Sequence, residues 1–334
     1  MANIGKQTIK FKKNISILET ASIVGPKEGD GPLKNYFDIV LEDIMAGENT
    51  WEKAESIIVR KSLELATKKA KLAMTDIDYI IAGDLLNQNT GSTFGIRDLH
   101  RPFIGIFSAC SAMGLSMGLG ATFLESNFAK NVLASSSSHF CAAEKQFRFP
   151  LELGSQRPPT STTTVTGCGV ALLSNDNSDL PKIKAITTGK IVDMGITDPF
   201  NMGAAMAPAA LDTIITHFND LNIEPDYYDL IITGDLGHIG SEIILTLSKK
   251  EGYLLKNYKD CGILIYDKDT QDTHSGGSGC ACAGTTFAGY LYKKMIEKEI
   301  KKLLFVPTGA LLSPLSVLQK ESIPGIAHAV AIEI

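Results

Sequence analysis

Cys110 is the residue best placed for covalent chemistry. It follows an apolar run at 103–107 and opens a stretch, 109–126, rich in small and apolar residues. A thiol at a helix N-terminus sits at the positive end of the helix dipole, which favours thiolate and makes an acyl-accepting nucleophile. The same position suits a small buried thiol with no chemistry, and position alone does not choose between them. A thiolate nucleophile needs a base; His139, His238, His274 and His328 are the imidazoles that could serve. Of these, His139, beyond the end of a strand, is the one expected near Cys110, and His328 could approach from the last strand. Asp84 and Asp235 close two matching apolar runs, and each reads as a helix N-cap whose carboxylate accepts from free amides. Gly276-Gly277-Ser278-Gly279 offers backbone donors and close approach to a ligand, but lacks the Lys-Ser/Thr of a nucleotide P-loop. Lys145, Arg148 and Arg157 cluster beyond His139 and could hold an anion. Taken alone, Lys145 and Arg157 read as solvated surface, whereas Arg148, between Phe147 and Phe149, reads as partly shielded.

The elements that would position these residues alternate. Residues 51–73 carry apolar side chains at helical spacing, and short β-rich runs occur at 78–84, 103–107, 131–134 and 170–173. Alternating strands and helices imply an α/β protein with mostly parallel pairing. The chain also repeats itself. Asp78-Tyr79-Ile80-Ile81-Ala82-Gly83-Asp84-Leu85 recurs as Asp229-Leu230-Ile231-Ile232-Thr233-Gly234-Asp235-Leu236, with six of eight positions identical. Cys110 and Cys282 each stand the same distance before a lysine and a strand, at Lys130 and Lys302. Gly169-Val170-Ala171-Leu172 weakly matches His328-Ala329-Val330-Ala331. Three matches in one order imply two similar halves, 1–178 and 179–334, about a pseudo-twofold axis. Each half's central helix would then be buried on every side, which fits the small residues of 109–120 and 276–289.

Composition narrows the function. A net charge of −5 argues against a generic polyanion or nucleic-acid binder, while leaving room for a locally basic pocket. No apolar run approaches membrane-spanning length, and the start lacks a signal-peptide pattern, so a chain made in the cytosol is expected, with peripheral membrane attachment open. The six cysteines read as free thiols. Cys280-Ala281-Cys282 lacks a second pair and reads as small buried thiols, so no metal site and no cofactor are expected. The run 198–210, with Met202, Met206 and Pro208, reads as a lid or interface, or as ordinary core.

Duplicated halves with Phe107-Ser108-Ala109-Cys110-Ser111-Ala112-Met113 at a strand-to-helix turn resemble the thiolase and ketoacyl-synthase superfamily. That resemblance implies a five-layered α-β-α-β-α fold and a homodimer. The motifs of its enzymes are altered here. Where type III synthases carry His-Gln-Ala-Asn this chain has Gly234-Asp235-Leu236-Gly237, and where they carry Gly-Asn-Thr-Ser it has Gly276-Gly277-Ser278-Gly279, with Gly277 at the Asn position. The late thiolase cysteine is replaced within Pro324-Gly325-Ile326-Ala327-His328. Several segments are similar to a sporulation family of this fold, stage V sporulation protein AD: Gly25-Pro26-Lys27-Glu28, Ala82-Gly83-Asp84-Leu85-Leu86-Asn87-Gln88-Asn89, Ser137-Ser138-His139, Gln146-Phe147-Arg148-Phe149-Pro150, 198–210 (especially Met206-Ala207-Pro208-Ala209-Ala210), Gly276-Gly277-Ser278-Gly279-Cys280-Ala281-Cys282 and Thr308-Gly309-Ala310-Leu311-Leu312-Ser313-Pro314. The resemblance implies non-catalytic binding of dipicolinic acid (pyridine-2,6-dicarboxylate), with or without Ca²⁺. It also implies membership of a channel assembly at the inner membrane of the spore, serving uptake into the developing spore and release in germination. Cys110, His139, Lys145, Arg148, Gly277 and His328 are the expected ligand-binding set. Two other readings stay open: a condensing or thiolytic enzyme using Cys110 with His139, His238 or His274, and a scaffold that binds only proteins.

Overall fold

The computed structural model describes residues 2–147, 157–175 and 179–334. The first half runs β1 (Thr8–Val24), α1 (Trp51–Lys69), β2 (Tyr79–Gly83), α2 (Thr90–Ile96), β3 (Phe103–Gly105), α3 (Ala112–Glu125), β4 (Asn131–Ser138), α4 (Phe140–Phe147) and β5 (Gly167–Ser174). The second runs β6 (Lys182–Thr188), α5 (Met202–Leu221), β7 (Leu230–Thr233), α6 (Gly237–Lys250), β8 (Tyr258–Asp260), α7 (Cys280–Thr285), β9 (Lys302–Val306) and β10 (Gly325–Glu333). The apolar run at 103–107 is thus strand only as far as Gly105. The small-residue stretch begins as a 3₁₀ turn, Ala109–Ser111, before α3.

The strands lie in the order β8-β7-β9-β10-β6-β1-β5-β4-β2-β3. Outward from the β1–β6 contact the order is β1-β5-β4-β2-β3 one way and β6-β10-β9-β7-β8 the other. The strand senses match too: β4, β2 and β3 are parallel with β5 antiparallel, as β9, β7 and β8 are parallel with β10 antiparallel. The long β1 joins the sheets. Its start pairs with β6, its remainder with β5, and register shifts bend it between the two. The repeat extends to side chains. The Asp78 carboxylate accepts from the Lys130 and Asn131 amides, and Asp229 accepts from those of Lys301 and Lys302.

Strand alternation sorts the apolar residues into three cores separated by two sheets. On β5, Val170 and Leu172 face the core under α1, while Ala171 and Leu173 face the centre. On β9, Leu304 and Val306 face α5 and α6, while Leu303 and Phe305 face the centre. The central core holds α3 and α7, which gives the α-β-α-β-α layering. Small residues make this middle layer thin. A Cβ on Gly169 of β5 would stand 2.1 Å from the backbone of Gly284 on α7, a distance no real Cβ tolerates. Gly169→Ala must therefore push the helix from the sheet. We expect it to lower stability by about 1–3 kcal/mol in urea unfolding; an unchanged midpoint would contradict the close approach.

Candidate functional site

The turn after β3 carries the reactive-type residue. Ala109 adopts φ +45, a conformation that non-glycine residues adopt only under constraint. Its carbonyl accepts from the Cys280 thiol at 3.0 Å, tying the turn to the start of α7. Behind the turn, the Gly189 amide donates to His328 Nδ1 at 3.3 Å, which leaves the ring proton on Nε2. That nitrogen donates to Ser108 Oγ at 2.8 Å, and Ser108 lies 2.6 Å from Ser111 Oγ. Burial pushes His328 down to about 4, so it is a neutral prop for the turn.

Cys110 is 7% exposed and forms part of a cavity of about 220 Å³. Phe107, Phe147, Phe200 and Met202 supply much of its apolar wall, and Glu144, Thr164, Ser278 and Gly279 bring polar atoms. The Gly276–Gly279 loop reaches the cavity through Ser278 and Gly279. Gly279 has φ +93, and a Cβ there would meet Ser138 Oγ at 2.7 Å. Ser138 is itself committed: its hydroxyl donates to the Val165 carbonyl and accepts from the Ala281 amide at the start of α7.

Asp235 decides the electrostatics. It stands at the end of β7, fully buried and facing the Cys110 thiol. Thr308 Oγ1 donates to one carboxyl oxygen at 2.5 Å and the Gly279 amide to the other at 3.3 Å. Burial still pushes the group up to about 7; its hydrogen bonds and Cys110 pull it down, and the charge of Asp260 adds to the rise. Cys110 moves the same way. Burial first, and the Asp235 charge second, raise its pKa well above the ordinary thiol value. Helix-dipole stabilisation of a thiolate, expected from position, is overridden by desolvation and a neighbouring carboxyl.

The reading of Asp235 as a helix cap is corrected. The amides of Leu236 and Gly237 at the start of α6 go to Asp260, at 3.0 Å each. Asp84, its partner in the repeat, does serve backbone amides, those of Leu86 and Ser92.

The expected ligand-binding residues are only partly brought together. Cys110 lines the cavity. His139 does not: its Nε2 donates to the Ile44 carbonyl at 2.8 Å, and Nδ1 faces the Ala142 amide at 3.4 Å. Lys145 pairs with Glu52 at 2.7 Å, and Arg157 pairs with Asp272. Gly277 packs against Ile265 and Tyr266. His238 and His274 line a separate surface pocket with Lys268 and Gln271. Arg148 lies outside the described residues. The run 198–210 divides: Pro199, Phe200 and Met202 line the cavity, while Met206, Ala207, Ala209 and Ala210 of α5 are buried in the core. Sequence reasoning placed Asp235 within the segment that replaces the synthase histidine motif but read it as a cap; the replaced histidine was the signal that this strand end faces the cysteine.

A strained turn carrying a cysteine, on a buried central helix between two equivalent sheets, defines a thiolase-like protein. Solved structures agree at the level of fold. A variant of OleA from Xanthomonas campestris matches with a TM-score of 0.62 at 14% identity, covering 98% of this chain and 100% of that one. A 3-oxoacyl-[acyl-carrier-protein] synthase III from Aquifex aeolicus VF5 matches with a TM-score of 0.58 at 13% identity, covering 96% of this chain and 100% of that one. Within that class the family is specific. Residues 5–333 match the family model of stage V sporulation protein AD. The Bacillus subtilis (strain 168) protein of that name is 44% identical over 330 residues, which is 98% of this chain and 97% of that protein. The chain belongs to the stage V sporulation protein AD family. Among the described residues, no helix is long and apolar enough to cross a membrane.

The thiol chemistry is directly measurable. Each unit by which a thiol pKa is raised lowers its thiolate fraction about tenfold at a given lower pH. We expect Cys110 to react with iodoacetamide at pH 7.5 at least about tenfold more slowly than a cysteine in an unfolded peptide, by peptide mass spectrometry. Labelling that is complete as fast as the peptide's would contradict the raised thiol.

Proposed function

We propose that this protein binds dipicolinate in the cavity over Cys110 without transforming it. The observation that carries the reading is Asp235. A cysteine that accepts acyl groups needs a base that withdraws its proton; here the ionisable partner facing the thiol is a carboxyl that opposes its ionisation. What remains is a shaped cavity. An apolar void of about 150 Å³ holds one benzene ring, so about 220 Å³ suits a single aromatic ring with small substituents. Phe107, Phe147 and Phe200 offer faces for a flat ring, and the hydroxyls of Thr164 and Ser278 offer donors.

In this reading the protein works in the spore, peripheral to its inner membrane. It hands the ligand to the proteins of a channel assembly for uptake during sporulation and release in germination. A second copy of the chain covers the β3 edge. That strand ends the sheet, and Phe94 and Phe107 near it are 51% and 63% exposed. Light scattering on the purified protein is expected to give the dimer mass; a monomer mass at micromolar concentration would contradict this part.

Calorimetric titration with dipicolinate, with and without Ca²⁺, tests the ligand. Saturable binding near one site per chain is expected, weakened at least about tenfold by Leu312→Trp, which narrows the cavity. Arg148→Ala tests whether the sequence-predicted cation contributes. Binding untouched by Leu312→Trp would move the site elsewhere, and no binding would favour a scaffold. Incubation with acetyl-CoA is expected to leave the mass at Cys110 unchanged; an acetyl adduct there would restore the enzyme reading.

A further inference from the structure

Asp235 stands directly behind the cavity wall. It bonds to the Gly279 amide and faces the Cys110 thiol, and both residues line the cavity. It is 1% exposed, so bulk water does little to spread its charge. An anion in the cavity therefore meets a carboxylate across one layer of atoms in a low-dielectric setting, where like charges repel strongly.

We infer that Asp235 takes up a proton when an anion occupies the cavity over Cys110, so that the site binds its ligand and a proton together. This rests on the reading of the cavity as the dipicolinate site.

The groups around Asp235 leave it as the one that responds near neutral pH. From α7, Cys280 and Cys282 face it, and with Cys110 they are raised well above the ordinary thiol value, so they stay protonated. Cys261, at the end of β8, behaves likewise. Asp260 from β8, bonded to Thr233 and the amides of Leu236 and Gly237, is pushed up to about 6, so it titrates at the lower end of the window and stays ionised above pH 7, where Asp235 changes charge. From beyond β9, Thr308 donates to Asp235 and carries no charge. Glu144 of α4 also lines the cavity. His328, down at about 4, is neutral throughout.

The sign follows. The Asp235 carboxyl, up at about 7, is neutral at pH 6 and charged at pH 8. Below pH 6 an anion enters beside a protonated acid and no proton moves. Above 7 it enters only as the acid is reprotonated, so affinity falls as pH rises. A dicarboxylate ligand is fully ionised across this window, its own groups titrating near 4.

The test is titration of the full-length protein with dipicolinate from pH 6 to 8.5. At pH 8, buffers of different ionisation enthalpy count the protons. Wild type is expected to take up close to one proton per ligand at pH 8, with Kd rising up to about tenfold per pH unit above 7. Asp235→Asn should bind with a Kd independent of pH and with no proton uptake. The uncharged pyridine-2,6-dicarboxamide should show no such pH dependence with wild type. A wild-type Kd constant across the range with no proton exchange would overturn the inference without needing the variant. Proton uptake unchanged in Asp235→Asn would overturn it too. Failure of dipicolinate to bind at any pH would instead bring down the ligand reading on which it rests.

Discussion

A buried carboxyl group governs this site. Asp235 lies where β7, the Cys110 turn and the start of α7 converge, and its desolvation has to be met by whatever those elements provide. They provide one hydroxyl, one amide and one thiol, from Thr308, Gly279 and Cys110. That is enough to keep the group in place but not enough to hold it ionised at ordinary carboxylate pH. The thiol is raised in turn, by its own burial and because a thiolate beside a carboxylate meets like charge where an imidazolium would offer opposite charge. The chemistry of the cavity follows from a single residue type at one strand end.

The fold makes this convergence unavoidable. Two sheets of equal strand order enclose a thin layer of two helices, and small residues let α7 approach β5 until glycine meets glycine. Side chains of the sheet bond the start of the central helix. Ser136 and Ser138 of β4 bond the Cys280 carbonyl and the Ala281 amide of α7. The repeat is retained where it builds the sheets, at Asp78 and Asp229. It diverges at the two strand ends: Asp84 accepts from the nearby Leu86 and Ser92 amides, whereas Asp235 bonds Thr308 and the Gly279 amide behind the cavity.

Much of this was legible in the residues. The doubled Asp-x-Ile-Ile-x-Gly-Asp-Leu run marked β2 and β7, and the small residues of 109–120 marked a helix buried on all sides. Cys110 could be placed at a strand-to-helix turn because the apolar run before it and the glycine-rich run after it differ so sharply. Directions of side chains were not legible. His139 stands at the expected strand end, yet its ring is claimed by the Ile44 carbonyl, from a loop distant in sequence. Asp235 reads locally as a cap, and only contacts with Thr308 and Gly279, far along the chain, give it another partner. Met202 and Met206 belong to one apolar run, but the start of α5 faces the cavity and its next turn faces the core, a division that composition does not encode.

The central claim is that the cavity over Cys110 holds an intact aromatic dicarboxylate beside an un-ionised thiol. A crystal structure of the protein soaked with dipicolinate tests this most directly. The account predicts a flat ring bounded by Phe107 and Phe200, with Cys110 unmodified and its sulfur facing Asp235. A ligand bound elsewhere with this cavity empty, or a covalent acyl group on the Cys110 sulfur, would contradict it.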